Sequence, residues 1–129
     1  KENKLKIKKR FFNYLVIQTP NNKTKIVQRK KGIWLNLYEF PLVETSNEID
    51  EKELIQHKYF NELFKSKSTS VKLFNNDMII HKLTHQHINT KFWIVNTSES
   101  SNFTTNWNEI HAFPVSTLVD NFLKHFKTN

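Results

Sequence analysis

Three histidines, His81, His85 and His87, stand at H-x-x-x-H-x-H spacing and are the first candidates for chemistry in this sequence. Imidazole nitrogens bind zinc, and on a strand His85 and His87 would share a face. A zinc site also needs further ligands and carboxylates that orient them, but the segment contains neither cysteine nor carboxylate. We therefore predict no metal here. A polar turn from Thr84 to His87, reading T-H-Q-H, instead presents hydroxyl, imidazole and amide groups suited to the edge of a nucleic-acid base.

Four acids lie close together in the middle of the chain, at Glu48, Asp50, Glu51 and Glu53. Carboxylates on one helical turn can hold Mg²⁺ for phosphoryl chemistry. The same residues suit the start of a helix, because acids there complement the helix dipole and Asp50 and Glu53 have the spacing of a capping box. A pyrophosphate-cleaving enzyme would also need a flexible glycine loop, and the chain has one glycine. We therefore interpret the acids as a helix start.

Covalent catalysis has no support in the sequence. The chain contains no cysteine, which excludes thiolate nucleophiles, disulfides and iron–sulfur clusters within it. It also lacks the G-x-S-x-G motif of serine hydrolases. Four aromatic residues could stack on bases, but aromatic side chains in strand-like runs more often pack in a core, where we place them. They are Trp34, Tyr38, Trp93 and Trp107.

The positive charge is concentrated in the N-terminal third. The formal net charge is +8, and residues 1–31 contain eleven Lys and Arg against one acid, whereas residues 39–62 contain seven acids against two Lys. Such a basic cluster neutralises phosphates and releases counterions, which favours nucleic acid as a partner. A solvated basic terminus that keeps the protein soluble is the alternative. The cluster comprises Lys4, Lys6, Lys8, Lys9 and Arg10.

The first half of the chain changes from strand to helix periodicity. Alternating β-branched and aromatic residues predict strands over 10–19 and 24–29, joined as a hairpin by a turn at Pro20. A further strand is predicted over 37–44, and its proline favours an edge or bulged position. Apolar residues then recur at helical spacing and predict one helix over 50–64.

The second half repeats the order of strands followed by a helix. Residues 71–74, 78–84 and 87–95 are predicted strands, with a turn at 75–77 between the first two. Pro114 opens a second helix with one apolar face. The order predicts an α+β layered domain, with a mixed or antiparallel sheet and two main helices packed on it.

The chain begins without Met, and we expect it to be a domain cut from a longer protein. Residues 1–10 are interpreted as a basic linker or strand start, and residues 11–129 as the folded domain. The sequence shows neither a signal peptide nor a long apolar run, so we expect no membrane partner and a cytoplasmic location.

Three segments resemble the C-terminal domain of the MutY family of adenine DNA glycosylases. Residues 23–44, K-T-K-I-V-Q-R-K-K-G-I-W-L-N-L-Y-E-F-P-L-V-E, resemble that family's strand ending in Gln-Arg, Gly-Leu/Ile-Trp loop and Leu-Tyr/Trp-Glu-Phe-Pro strand. Residues 81–87, H-K-L-T-H-Q-H, are similar to its His-x-Phe-Ser-His turn followed by a further His. Residues 112–123, A-F-P-V-S-T-L-V-D-N-F-L, resemble its Leu-Pro and closing helix. Together these segments span nearly the whole chain in the right order.

The resemblance implies a Nudix-like fold and a role in base excision repair. In the family, this domain reads 8-oxoguanine opposite adenine in double-stranded DNA, while a separate N-terminal catalytic domain, which carries a 4Fe-4S cluster, removes the adenine. The implied partners are therefore DNA with 8-oxoguanine:adenine mispairs and the protein's own catalytic domain, in a bacterial cytoplasm. We expect no cofactor and no bond-breaking activity in this chain.

The resemblance also assigns the candidate binding residues. Leu83 stands where the family has an intercalating or packing Phe, Thr84 matches the Ser that contacts the lesion, and His85 matches the following His. Gln86 and His87 complete the turn. Leu83 would stack less well than Phe, whereas Thr84 keeps the hydroxyl. Phosphate binding is expected at Lys6, Lys8, Lys9 and Arg10.

Two alternatives remain at this stage. A divergent Nudix hydrolase acting on nucleotides would need the box Gly-x5-Glu-x7-Arg-Glu-x2-Glu-Glu to gather Mg²⁺, and the residues after Pro41 do not carry it. A general basic nucleic-acid-binding or protein-interaction module would not need this particular Thr84-His85 turn.

Overall fold

A five-stranded mixed sheet organises the molecule in the computed structural model, which describes residues 6–65 and 67–126. In chain order the strands are β1 (Lys8–Gln18), β2 (Lys23–Thr24), β3 (Val27–Gln28), β4 (Tyr38–Glu39), β5 (Leu42–Thr45), β6 (Thr69–Leu73), β7 (Ile79–Lys82), β8 (Gln86–Thr97) and β9 (Thr105–Asn106). The helices are α1 (Glu51–Ile55), α2 (Lys58–Phe64) and α3 (Thr117–His125), with a 3-10 helix at Trp107–Ala112. Of the basic cluster, Lys4 lies outside the described residues.

Strands β1 and β8 form the centre of the sheet and run parallel, with Lys8 opposite Gln86 and Gln18 opposite Asn96. Strand β5 pairs antiparallel with the outer side of β1 and is an edge strand. The single strand predicted over 37–44 is wrong, because Pro41 lies between β4 and β5, which belong to different sheets. The predicted hairpin between 10–19 and 24–29 is wrong, since β2 pairs with β9 and β3 with β4. Residues 12–18 are buried without interruption, and a strand buried on both faces belongs in the middle of a sheet.

The two faces of the sheet carry separate hydrophobic clusters, as expected for a layered α+β fold. The first cluster packs Phe12, Tyr14 and Phe92 against Phe122 and its neighbours on α3. The second cluster packs the alternate residues of the central strands against α1 and α2, and its members include Leu15, Ile17, Trp93, Val95, Leu54, Phe60 and Phe64. Both faces of β1 are therefore covered over most of its length.

The single helix predicted over 50–64 is wrong, because two short helices occupy this segment. The capping box is confirmed: Glu53 N donates to Asp50 Oδ1 (2.9 Å), and Asp50 N donates to Glu53 Oε1 (3.1 Å). The break falls at His57, whose ring Nδ1 accepts from Tyr59 N and caps the second helix. A local side-chain cap of this kind competes with continuation of the helix.

Strands β6 and β7 both lie beside β8, each covering one half of it. The three strands predicted here exist, but the first two do not pair with each other. Asn75 fills the interval between them: its side-chain amide accepts from Phe92 N (2.8 Å) and donates to Thr90 O (2.9 Å). The amide thereby replaces a backbone unit in the ladder and keeps the two strands on one edge.

The last helix begins three residues later than predicted, at Thr117, with Ser116 as its cap. The 3-10 helix before it was not predicted, although Trp107 and Ile110 bury its apolar side. Within the two ranges described, no helix is long and apolar enough to cross a membrane.

Candidate nucleic-acid interface

The predicted recognition residues form the turn between β7 and β8. Leu83 N donates to Gln86 O (2.8 Å) and closes the turn. Thr84 and His85 stand exposed at its tip. Leu83 is half-buried and packs against the first hydrophobic cluster, so it anchors the turn by packing.

The basic start of β1 lies directly beside this turn. Lys8 N donates to His85 O (3.1 Å), and the parallel register places Lys9 opposite His87. Arg10 Nη1 also donates to Gln86 Oε1 (3.0 Å). The fold thus brings together two groups of candidate residues that are about 75 positions apart in the sequence. Whether these groups bind DNA stays a prediction.

Arg10 has an internal partner, unlike the exposed lysines around it. Its guanidinium donates through Nε and Nη2 to the two carboxylate oxygens of Glu44 (2.7 and 2.8 Å). The hydrogen bond to Glu44 raises the pKa of Arg10, although partial burial opposes the shift. A bidentate pair of this kind is geometrically specific, so Arg10 fixes the strand next to the turn. Lys8 and Lys9 are exposed and better placed to meet a phosphate.

The three histidines do not converge. His85 lies in the turn between the two strands, as the T-H-Q-H interpretation predicts, so it does not share a strand face with His87 as the zinc alternative required. His81 lies on β7 and packs edge-on against Trp34, with ring centroids 5.6 Å apart. Among residues 6–65 and 67–126, no three His, Asp or Glu side chains are grouped so that they could hold a metal ion.

Three of the four acids near the helix start have structural partners. Glu53 and Asp50 form the capping box of α1. Glu48 pairs with Lys91 (3.0 Å), whose ammonium group also donates to Ile49 O (2.8 Å). The helix-start interpretation therefore accounts for three of these carboxylates.

A buried polar network joins β1, β4 and the residue after β3, and it was missed at the sequence level. Tyr14 donates its hydroxyl to Glu39 Oε1 (2.8 Å), and Arg29 Nη1 donates to both oxygens of Glu39 (3.2 and 3.1 Å). Burial raises the pKa of Tyr14 well above its usual value, so the hydroxyl remains a donor. Burial also raises the pKa of Glu39, although its bonds to Tyr14 and Arg29 oppose the shift. The only sequence signal was an acid, Glu39, interrupting an apolar run.

The loop between β3 and β4 also borders the turn and was not identified as part of the site. Trp34 is half-buried there, and its ring packs edge-on against Phe12 (6.2 Å) as well as against His81. Its φ of +57° lies in the left-handed region, which is rare for a bulky residue. Of the four aromatic residues assigned to the core, Trp93 and Trp107 are buried, whereas Trp34 joins the core to the surface.

The family model described as NUDIX domain matches residues 13–125. The chain belongs to this family. Among solved structures, this NUDIX domain is similar to the crystal structure of the complex between the C-terminal domain of mouse MUTYH and human PCNA, with a TM-score of 0.53 and 19% identity over 89% of this chain and 85% of that chain. The expected Nudix-like α+β fold, and the resemblance to a MutY-type C-terminal domain, are confirmed at the level of the fold. No curated protein matches the chain.

Proposed function

We propose that this NUDIX domain is the lesion-recognition domain of an adenine DNA glycosylase and reads 8-oxoguanine opposite a mispaired adenine. The observation that carries the proposal is the exposed Thr84-His85 tip, which is held against the basic start of β1 by the bond from Lys8 N to His85 O. The candidate base-reading group and the candidate phosphate-binding groups thus lie side by side, which supports the proposal. The shared fold with the mouse MUTYH domain supports the same function.

The chemistry of the lesion suits a hydroxyl at the tip. 8-Oxoguanine differs from guanine by an N–H donor at N7 and a carbonyl oxygen at C8. The Thr84 hydroxyl can accept from the first and donate to the second, and backbone N–H groups of the turn can also donate to the carbonyl. Loss of one matched hydrogen bond in a desolvated site costs about 1 to 3 kcal/mol, which is enough to distinguish the two bases.

Phosphate contacts would orient the tip on the duplex. Lys6, Lys8 and Lys9 are exposed along the start of β1, where they can neutralise phosphates on either side of the base that Thr84 reads. Arg10 contributes by holding Gln86 and Glu44 in place. In this proposal the chain itself breaks no bond, and a separate catalytic domain of the parent protein removes the adenine.

A Thr84→Val substitution in the parent glycosylase tests the proposal. Valine keeps the size and shape of threonine but removes the hydroxyl that pairs with N7–H and O8. Adenine removal opposite 8-oxoguanine should slow much more than removal opposite guanine. We expect the ratio of the two single-turnover rates to fall roughly tenfold, equivalent to about 1.4 kcal/mol.

Thr104→Val is the matched control. Thr104 is also exposed, but it adjoins β9, which pairs with β2 beyond the far end of β1. This control should leave the ratio of rates unchanged. An unchanged ratio in Thr84→Val, with the fold intact by circular dichroism, would show that Thr84 is only a turn residue and would remove the proposed function.

A further inference from the structure

The loop from Lys30 to Asn36 is held in one shape by hydrogen bonds across its base. Arg29 N donates to Leu37 O and Asn36 N donates to Arg29 O, both at 2.9 Å. Arg29 Nε also donates to Ile33 O (2.7 Å). A loop closed in this way presents its outer side chains in fixed positions.

Three positions in this loop have left-handed backbone: Gly32, Trp34 and Asn36 have φ values of +77°, +57° and +71°. Trp34 packs inward on Phe12 and His81, whereas the next residue, Leu35, is 53% exposed. Strained backbone at a bulky residue persists only where the surrounding contacts require it, and such positions cluster at binding sites.

The loop and the recognition turn share one side of the molecule. Trp34 contacts His81, which lies two residues before Leu83 on the same face of the hairpin. Trp34 and Leu83 also pack against the same hydrophobic cluster. A duplex that meets Thr84 at the tip would therefore pass close to Leu35 and the lysines of the loop.

The charges on this side favour a polyanion. The acids nearby are each paired with an arginine, Glu39 with Arg29 and Glu44 with Arg10. Lys30 and Lys31 are exposed, and neither forms an ion pair among the described residues. The positive charge of the loop is thus available to an external partner.

We propose that the Lys30–Asn36 loop is a second DNA-contacting element beside the recognition turn. Lys30 and Lys31 bind backbone phosphates, and Leu35 makes an apolar contact in the adjacent minor groove. Proteins that bind the minor groove often insert apolar side chains in this way. Trp34 is the positioning residue that ties this loop to the hairpin. The inference rests on the proposed function, because it takes DNA as the partner that the turn reads.

Salt-dependent binding of this chain to duplexes containing 8-oxoguanine:adenine or guanine:adenine pairs tests the loop. Each phosphate contact adds about 0.9 to the magnitude of the slope of log K against log salt concentration. The double substitution Lys30→Ser/Lys31→Ser should therefore lower the magnitude of this slope by about 1.8. The matched control is Lys52→Ser/Lys58→Ser, which removes the same charge from α1 and α2 and should change the slope little. Leu35→Ser should weaken binding several-fold with the slope retained, and Leu35→Met should bind like the unmodified chain.

The outcomes separate the loop from the turn. If the two double variants change the slope equally, the change reflects only the lost net charge, and the proposed contact between the loop and DNA is wrong. Unchanged affinity in Leu35→Ser would overturn the groove contact and leave the exposed leucine to a protein partner. If the unmodified chain binds both duplexes equally while the loop variants still lose slope, the proposed reading of 8-oxoguanine fails and the loop contact stands. Thermal unfolding of each variant confirms that the fold is retained.

Discussion

At the scale of single residues, Phe12 on β1 has two arginines as neighbours, and one of them, Arg10, also donates to Gln86 of the recognition turn. The Arg10 and Arg29 guanidinium carbons are 5.0 and 5.7 Å from the ring centroid of Phe12. Glu39 partners Arg29, and Glu44 partners Arg10. Each guanidinium therefore combines an ion pair with a cation–π contact. These contacts hold the start of β1 and the loop after β3 in fixed positions beside the turn.

The raised pKa of Glu39 predicts a pH dependence of stability. Burial is the main cause, so the protonated form is favoured more in the folded state than in the unfolded chain, where the value is about 4.3. Stability that Glu39 contributes is present below that pH and is lost as pH rises through the folded pKa. Glu39→Gln cannot titrate. The free energy of unfolding of the original chain, minus that of the variant, should therefore fall as pH rises from about 4.

Chemical denaturation at a series of pH values measures this difference. The glutamine keeps an oxygen that can accept from Tyr14 and Arg29, so both proteins should remain folded. A difference that stays constant or rises across the window would contradict the assigned direction. A constant difference would mean that the bond from Tyr14 and the ion pair with Arg29 balance burial, and a rising difference would mean that they outweigh it.

At the residue scale, the exposed residues at the tip of the turn could be identified from the sequence, but the residues around the turn could not. A short motif that resembles a known family singled out Thr84 and His85, which lie exposed at the tip of the turn, and their role in binding stays a prediction. The left-handed Trp34 could not, because its backbone conformation depends on contacts with Phe12 and His81 that are distant in sequence. The single glycine in K-K-G-I-W-L-N indicated a loop, but it did not indicate which of the loop's side chains pack inward.

At the scale of elements, strand positions followed from local pattern, but their partners did not. Runs over 10–19, 71–74, 78–84 and 87–95 are all strands, with small shifts at their ends. The strands predicted over 24–29 and 37–44 are each divided into two short strands in different sheets, β2 and β3 in the first and β4 and β5 in the second. Their pairing depends on non-local burial, and the alternation within β1 cannot distinguish a hairpin from a central parallel strand. The helix break at His57 was hidden because the apolar spacing continues across it.

Asn75 offers a test of how the sheet edge is joined. Asn75→Ala removes the two hydrogen bonds to the backbone of β8 and leaves Phe92 N–H and Thr90 C=O without that partner. Two hydrogen bonds at about 1 kcal/mol each predict a loss of roughly 2 kcal/mol in the free energy of unfolding. Denaturant titration monitored by tryptophan fluorescence measures the loss.

The neighbouring Asn76 provides the comparison, because it is exposed in the same segment. Asn76→Ala should change the free energy of unfolding by less than about 0.5 kcal/mol, as surface substitutions usually do. Similar losses in the two variants would mean that an alanine at either position of this segment lowers the free energy of unfolding by the same amount. The side chain of Asn75 would then not be what joins β6 and β7.

At the scale of the whole molecule, positive and negative charge are distributed unequally over the surface. The recognition turn, the start of β1 and the loop after β3 bring exposed lysines together. The acids are concentrated instead in the segment leading into α1 and α2. A polyanion is therefore attracted to one part of the surface and repelled from another, which in the proposed function would orient the domain on DNA before a base is read.

The same distribution of acids predicts that this NUDIX domain does not hydrolyse nucleoside diphosphate derivatives. Metal-dependent hydrolysis needs several carboxylates that converge on Mg²⁺. Here Glu53 is committed to the capping box and Glu48 to Lys91, so within the described ranges the acids near α1 do not form a metal-binding group. We expect no release of phosphate or nucleoside monophosphate above the protein-free rate when the chain is incubated with such substrates and Mg²⁺ or Mn²⁺. Metal-dependent release that disappears in Glu51→Gln or Glu53→Gln would instead assign the domain to catalysis.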